Sequence, residues 1–322
     1  MVNGSETLGD LLKQGGIIGE GSNLALLSDK IKRRICALKG NQLKSIEIES
    51  KFYEKVHNLE KEFEADFAKI YKERRDIVTG EHEPTEEEAN FPLLHGMDEE
   101  DKAELYSRSS PDDGTKGIPA FWLQVLRSTD GIGEVIRECD EPILEHLIDI
   151  NTEVSVSPPG FTIFFHFSPN PFFKNTILKK KYELQISPDH EAPFDFDGPI
   201  VSGSTGDVIE WEEGKNVTKK VVKKKAKKGA NAGRFLTKTV QNESFFNFFT
   251  PIDPAEVNQE AADHNEKLEL TRVDYELGQL LRDHVIPRAV LFYTGENDLS
   301  DDFDLSGEDF EDDDSEEDDG DE

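Results

Sequence analysis

A chain of 322 residues with 35% hydrophobic content can bury a substantial core, as one large domain or two ordinary ones. Its net charge of −32, from 69 acids against 37 bases, repels phosphate backbones and attracts basic proteins, which argues against direct or sequence-specific nucleic-acid binding as the main activity. Cys36 and Cys139 give neither a disulfide framework nor a zinc spacing, which points to a reducing compartment; there is no secretory signal, and no apolar run approaches the ~18 residues of a membrane span.

Residues 1–27 read as a flexible, Gly-rich segment. Gly15-Gly16-Ile17-Ile18-Gly19-Glu20-Gly21 has the look of a phosphate loop, but no strand precedes it and no Lys-Ser/Thr follows. Residues 28–80 read as a long helix and a following helix. Between Ser28-Asp29, which can cap a start, and Thr79-Gly80, which supplies a stop, there is no proline and one interior glycine, Gly40. Apolar residues recur in steps of four and three: Ile31, Ile35, Leu38, then Phe52, Val56, Leu59, Phe63, Phe67 and Ile70, with Leu43 and Ile46 bridging a slip of phase. Some 45 helical residues would reach roughly 65–70 Å, longer than a compact domain of this size is wide. Such a helix needs a partner along its length, and the bulky phenylalanines favour an antiparallel or irregular pairing over a parallel zipper. The alternative is two shorter core helices broken near Gly40 or around Asp66.

Residues 81–117, with Glu86-Glu87-Glu88 and Asp98-Glu99-Glu100-Asp101, read as an acidic accessory segment over the domain surface. From 118 to 294 the pattern is α+β. Helices are expected from Ile118, with Pro119 in the first turn, from Glu141 with an apolar face at 143, 144, 147 and 148, and around Val273–Leu281. Strands are expected over Thr152–Val156, Phe161–Phe167, Tyr182–Ile186 and Asp207–Trp211, with a short helix capped at Asn170-Pro171-Phe172-Phe173. A basic β-hairpin spans 215–240. Its first arm places Lys219, Lys220, Lys223, Lys224, Lys225, Lys227 and Lys228 in ten residues, a nuclear-localisation or polyanion-binding signal that is also compatible with a solvated hairpin edge. Successive strands with local connections favour an antiparallel sheet covered by helices on one face.

No catalytic constellation emerges. The eight histidines are scattered, and neither G-x-S-x-G nor a P-loop occurs. His166, between Phe165 and Phe167, reads as a surface or hydrogen-bonded core histidine. Asp195, Asp197 and Asp207 read first as acidic loop residues, not as a metal site. No enzyme activity, cofactor or metal is expected.

The C-terminal segment, 295–322, is an extended acidic tail. From Glu296 it holds 17 carboxylates and no Lys or Arg, leaving 52 acids against 37 bases elsewhere. Two phenylalanines stand among the acids, in Asp301-Asp302-Phe303-Asp304 and Glu308-Asp309-Phe310-Glu311-Asp312-Asp313-Asp314. A purely solvating tail has no use for phenyl rings. Acids that attract a cationic surface, with a ring for an apolar pocket on it, indicate a binding segment for a basic protein.

Motifs spread from Ile31 to the tail are similar to those of the nucleosome assembly protein family of histone chaperones. They include Lys51-Phe52-Tyr53-Glu54, Leu59-Glu60-Lys61, Glu83-Pro84-Thr85-Glu86-Glu87-Glu88, Gly117-Ile118-Pro119 with Phe121-Trp122-Leu123, and Asp140-Glu141-Pro142-Ile143-Leu144. Phe194 with Phe196-Asp197-Gly198-Pro199, Gly214-Lys215-Asn216-Val217-Thr218, Ser244-Phe245-Phe246-Asn247-Phe248-Phe249 and Ile286-Pro287-Arg288 complete the set. The resemblance implies a long helix crossing that of a second copy antiparallel in a homodimer, with Ile31, Ile35, Leu38, Phe52, Val56, Leu59 and Phe63 at the seam. It implies an earmuff-type α/β domain with a four-stranded antiparallel sheet. An acidic underside, including Asp195 and Asp197, and the acidic tail would bind core histones as dimers and tetramers and deliver them for nucleosome assembly and exchange. The hairpin lysines match the family's nuclear localisation element, which implies an import receptor and both nuclear and cytoplasmic pools; the acid pair Glu212-Glu213 departs from the basic residues of many relatives. The alternative is an acidic regulatory scaffold, such as a phosphatase-inhibitor or transcription-cofactor module. The acid-flanked serines Ser300, Ser306 and Ser315 fit either reading.

Overall fold

The computed structural model describes residues 24, 27–108, 114–225, 235–250 and 263–297. Helix α1 runs unbroken from Asp29 to Thr79, 51 residues or about 77 Å. It passes through Gly40 and Asp66 without a break, so no second helix lies within 28–80. Gly40 has open space around it, and a single glycine costs only ~1 kcal/mol in a helix this long. The helix ends where Gly80 adopts φ 71° and its N–H returns to the Ile77 carbonyl. Gly117, at φ 63°, packs backbone to backbone on this end. A Cβ there would lie 2.2 Å from the Val78 carbonyl oxygen, while Ile118 N donates to that same oxygen at 2.9 Å. The chain between these two glycines is therefore an excursion that leaves and returns at one point, as an accessory segment requires. Within it, α2 (Glu99–Ser107) is capped by the Asp98 carboxylate, which accepts from Glu100 N and Asp101 N, both at 2.9 Å.

Short helices α3 (Phe121–Arg127), α4 (Ile132–Val135) and α5 (Glu141–Leu144) precede a meander of four antiparallel strands. These are β1 (Leu147–Val156), β2 (Pro159–Phe167), β3 (Ile177–Gln185) and β4 (Ile200–Gly206), in spatial order β1-β2-β3-β4. Strands β5 (Lys219–Lys225) and β6 (Phe235–Gln241) form a separate two-stranded ribbon, paired from Lys219↔Gln241 to Lys225↔Phe235. A 3-10 turn (Phe245–Phe249), helix α6 (Asp263–Leu280), a π-turn (Leu281–Val285) and α7 (Ala289–Thr294) close the fold.

Several boundaries differ from the sequence reading. Pro119 lies in the turn before α3, because Ala120 takes a left-handed φ of 55° and the helix starts at Phe121. The helix from Glu141 stops at Leu144, and Leu147 opens β1 paired with Phe167; the apolar residues at 147 and 148 serve a strand. Asn170 caps no helix. Its Oδ1 accepts from Phe172 N at 3.0 Å and Phe173 N at 3.1 Å, forming a turn, and Phe173 bridges to Trp211. The fourth strand is Ile200–Gly206, not 207–211. Asp207 ends the ladder by accepting Lys179 N on its carboxylate and donating its own N–H to the Lys179 carbonyl, and Val208 beyond it is 84% exposed. Strand β3 starts at Ile177, earlier than expected, because Leu178 and Lys180 both turn inward.

The core fills the space between one sheet face and the helices. Ile150, Phe161, Ile163, Phe165 and Leu178 meet Trp122, Leu126, Phe246, Leu281 and Phe292. The run Phe245–Phe249 supplies rings that meet Phe165 edge-on at 5.1–6.1 Å, the geometry aromatic quadrupoles prefer. Its start is fixed by the fully buried Asp140, whose carboxylate accepts Ser244 Oγ at 2.6 Å and Phe245 N at 2.8 Å. Lys180 is also wholly buried. Its Nζ donates to Asp274 Oδ1 at 2.7 Å and to the Phe248 carbonyl at 2.8 Å, and Tyr182 Oη donates to the Asp274 carbonyl at 2.8 Å. Burial lowers the Lys180 pKa against the opposing pull of Asp274, and raises that of Asp274 against Lys180. This pair pins α6 to the sheet. Asp274→Ala strands a buried ammonium and is expected to cost about 3–5 kcal/mol, whereas Lys180→Met with Asp274→Leu should come close to wild type. Urea unfolding of the two variants measures both; equal losses would contradict the assignment.

Candidate interaction surface

Helix α1 has two faces with different fates. Its inner flank is bonded to the sheet: Ser50 Oγ donates to the Ile186 carbonyl (3.1 Å), His57 Nε2 lies 2.8 Å from the Ser155 carbonyl, and Glu64 Oε2 accepts Val154 N (2.5 Å). Arg74 Nη2 donates to the Ile150 carbonyl at 3.2 Å, and its Nη1 donates to the Ile286 carbonyl. Tyr53 packs edge-on against Phe196 at 6.2 Å. Ile46 is buried.

The other flank is open. Ile48, Phe52, Leu59, Phe63, Phe67 and Ile70 are each more than half exposed, yet at 3.6 residues per turn they fall within an arc of about 100°. Of the seam residues expected from sequence, Leu38, Phe52, Leu59 and Phe63 are exposed, and Ile31, Ile35 and Val56 are partly covered.

Among the described residues the sheet is covered by helices on one face only. Its other face presents Asn151, Phe164, His166, Lys179, Lys181 and Glu183, a mixture of signs. Lys179 Nζ stands 5.5 Å over the Phe164 ring, which stacks on His166 at 6.5 Å. At the edge of this face, between β1 and α1, lies a groove of about 690 Å³ whose walls include Glu64, Phe67, Tyr71, Asp149, Phe164 and Asp283. Asp149 was not apparent from sequence as a site residue, although an acid between Ile148 and Ile150 in a strand is a visible anomaly. Its side chain is 4% exposed and lies 3.8 Å from Arg74. The Asn151 amide donates to Asp149 Oδ2 at 3.1 Å and to His166 Nε2 at 3.0 Å. His166 is thus a hydrogen-bonded histidine, as its sequence context indicated. Burial pushes the Asp149 pKa up, opposed by Arg74, and pushes that of His166 down, opposed by Asp149.

Asp195 and Asp197 are exposed on and just after the 3-10 turn Pro193–Asp195 that lies against α1, where Lys39 stands 5.1 Å over Phe194. Among the described residues no group of three or more His, Cys, Asp or Glu could hold a metal ion, and no helix is long and apolar enough to cross a membrane. On the ribbon, Lys219 and Lys220 are exposed, and Lys223, Lys224 and Lys225 continue β5. Lys227 and Lys228 lie outside the described residues. So do the tail positions Asp301, Asp302, Phe303, Asp304, Glu308, Asp309, Phe310, Glu311, Asp312, Asp313 and Asp314. The root of the tail is described. Glu296 Oε1 accepts His95 N at 2.6 Å and lies 3.0 Å from His95 Nδ1, while Oε2 accepts the Thr294 hydroxyl at 2.6 Å. These bonds, led by the His95 backbone, hold its pKa down to about 2. No sequence pattern links positions 95 and 296.

Residues 33–296 match the family model described as nucleosome assembly protein (NAP). The chain is 45% identical over 284 residues to nucleosome assembly protein 1-like 1-A of Xenopus laevis, covering 85% of this chain and 72% of the relative. It is 40% identical over 290 residues to nucleosome assembly protein 1-like 4 of Homo sapiens, covering 85% and 76%. Among solved structures it is similar to nucleosome assembly protein 1 from Plasmodium knowlesi, with 27% identity, a TM-score of 0.51, and coverage of 84% of this chain and 98% of that one.

The His166 ring must stay neutral to accept the Asn151 amide. Because its folded pKa is depressed, the unfolded chain takes up this proton first as pH falls below about 6.5, and stability is lost through that window. Asp149, with a raised folded pKa, has the opposite sign. In thermal unfolding between about pH 7.5 and 5.5, wild type should lose stability relative to His166→Gln, narrowing the gap between them. A gap independent of pH would show that His166 is not the titrating group.

Proposed function

Because the chain belongs to the nucleosome assembly protein family, we propose that it is a histone chaperone that works as a homodimer. The family match across residues 33–296 carries the reading, and the acid excess supplies its physics. Core histones hold DNA through dense Lys and Arg contacts to phosphate, strong enough that misplaced contacts become traps. A dimer with a formal charge near −64, twice that of one chain, covers those cations and suppresses wrong contacts, while the nucleosome still outcompetes it. The protein should therefore prevent histone–DNA precipitation at physiological salt; precipitation unaffected by an excess of chaperone would refute the reading.

The exposed stripe on α1 supports dimerisation. Wild type is expected to show the mass of two chains by light scattering, and Val56→Glu with Leu59→Glu to dissociate or unfold it, because a buried unpaired carboxylate costs several kcal/mol. A monomeric wild type would rule this out.

Within the tail, Phe303 and Phe310 act as anchors among acids that pair with Lys and Arg. Phe310→Ala should weaken histone-dimer binding by on the order of 1–3 kcal/mol with little change in salt slope. Deleting 296–322 should cost more and flatten the slope. Calorimetry at two salt concentrations separates these; ring variants equal to wild type at both would leave the tail a polyanion.

The ribbon lysines serve nuclear import through a receptor, giving nuclear and cytoplasmic pools. Replacing Lys223, Lys224, Lys225, Lys227 and Lys228 by Ala should reduce nuclear entry and leave histone binding intact, since cargo and ribbon share a sign. Nuclear accumulation unchanged by the replacement would count against this role.

A further inference from the structure

Two features of the molecule stand incomplete in one copy. The first is the groove beside α1. Asp149 lies in its wall with a side chain 4% exposed, and Asp149 Oδ1 has no hydrogen-bond partner among the described residues; its nearest cation, Arg74 Nη2, is 3.8 Å away. A buried carboxylate oxygen without a donor is costly, and a guanidinium can repay that cost. Around it the groove offers Phe67, Tyr71 and Phe164 as aromatic walls and Glu64, Glu153 and Asp283 as further acids. Of the cations there, Arg282 is held by Glu60 and Lys72 by Asp76, while Arg75, also in the wall, acts on Asp149 through its charge without a hydrogen bond to it.

The second feature is Arg34. It is exposed, and it sits 18 residues before Phe52 and 36 before Ile70. Eighteen residues are about five whole turns, so all three share one azimuth, and Arg34 stands on the seam beside Ile31 and Leu38. Any partner that covers the stripe buries this cation, which is tolerable only with a carboxylate waiting for it.

The two features meet if the partner is a second copy lying antiparallel. The stripe from Ile31 to Ile70 has its midpoint between residues 50 and 51, so pairing about that point sets Ile31 against Ile70, Leu38 against Phe63 and Arg34 against Phe67, at the lip of the groove. Charge agrees: residues 30–44 carry six bases and no acid, whereas residues 60–66 carry four acids and one base. We propose that Arg34 of a second copy enters the groove between Phe67 and Phe164 and pairs with Asp149, with Glu153 at the rim, so that each copy completes the other's site. The proposal rests on the antiparallel homodimer reading above and adds its register and polar lock.

The test uses full-length chains. In a Cys36→Ser, Cys139→Ser background, Arg34→Cys with Glu153→Cys should give a covalent dimer with a bismaleimide that spans about 15 Å, since Glu153 is four residues along β1 from Asp149. Within one chain the two sites cannot meet, because Glu153 lies beside Lys61, 3.9 Å away, and Lys61 is 27 residues or about 40 Å along α1 from Arg34. In parallel, Arg34→Glu should raise the dimer dissociation constant on the order of 10–100-fold. Arg33→Glu makes the same change in net charge one position off the stripe and should shift it by less than about threefold. Glu153→Arg should restore part of the loss in Arg34→Glu. If wild type is dimeric by light scattering but no crosslink forms, or the two charge reversals are equal, the proposal is wrong while the dimer stands; a monomeric wild type removes both.

Discussion

Everything outside the core of this protein depends on how a 51-residue helix is fastened to the edge of a four-stranded sheet. Strand β1 is the first strand of that sheet, and an edge left bare would expose backbone donors and acceptors to any passing strand. Helix α1 covers it with side chains. Glu64 takes the Val154 N–H, Arg74 gives to the Ile150 carbonyl and His57 lies against the Ser155 carbonyl. These bonds run along some 17 residues of helix, so α1 is held in rotation as well as in position. The rotation decides which residues face outward, and the outward set is the row of phenylalanines that one copy leaves uncovered.

Charge is arranged by the same frame. The densest run of lysines lies on a two-stranded ribbon separate from the four-stranded sheet, while acids populate the accessory excursion and the tail. Among the described residues the two acidic segments meet at His95 and Glu296, close in sequence to Tyr293, which stacks on Phe121 at 5.0 Å. Glu296, the first acid of the C-terminal segment, is therefore fixed beside the accessory segment, itself rich in acid. The open sheet face is less one-sided than the family resemblance implies, because Lys179 and Lys181 stand there with Glu153 and Glu183.

Buried polar groups mark where the fold is most exacting. Asp140 bonds the turn before α5 to the start of the aromatic run at Ser244, and Lys180 bonds the sheet to α6 through Asp274. Each joins elements roughly a hundred residues apart. Hydrophobic contact alone would let these elements slide, since apolar packing is nondirectional, whereas a charged hydrogen bond in a low-dielectric interior tolerates one geometry.

Much of this was legible in the sequence. The absence of proline and the step of four and three from Ile31 to Ile70 define the long helix and its uncovered stripe, because helical periodicity is a local property. The ribbon and the strand alternation of Phe161–Phe167 are legible for the same reason, and the charge of the tail is composition itself. Where the local signal was weak, the tertiary structure decided. Leu147 and Ile148 fit a helix face or a strand equally well, and pairing with β2 made them a strand. Asp207–Trp211 alternates like a strand, but the ladder ended one residue earlier, at Gly206, and 200–206 took the place beside β3. The groove was beyond any sequence reading: Asp149, Asn151, His166 and Arg74 come together only when α1 is laid against β1, and Glu296 finds His95 only across the folded body. Periodicity is written between neighbours in the chain, whereas a site built by contacts across 76 to 201 positions exists only once the packing that joins them has formed.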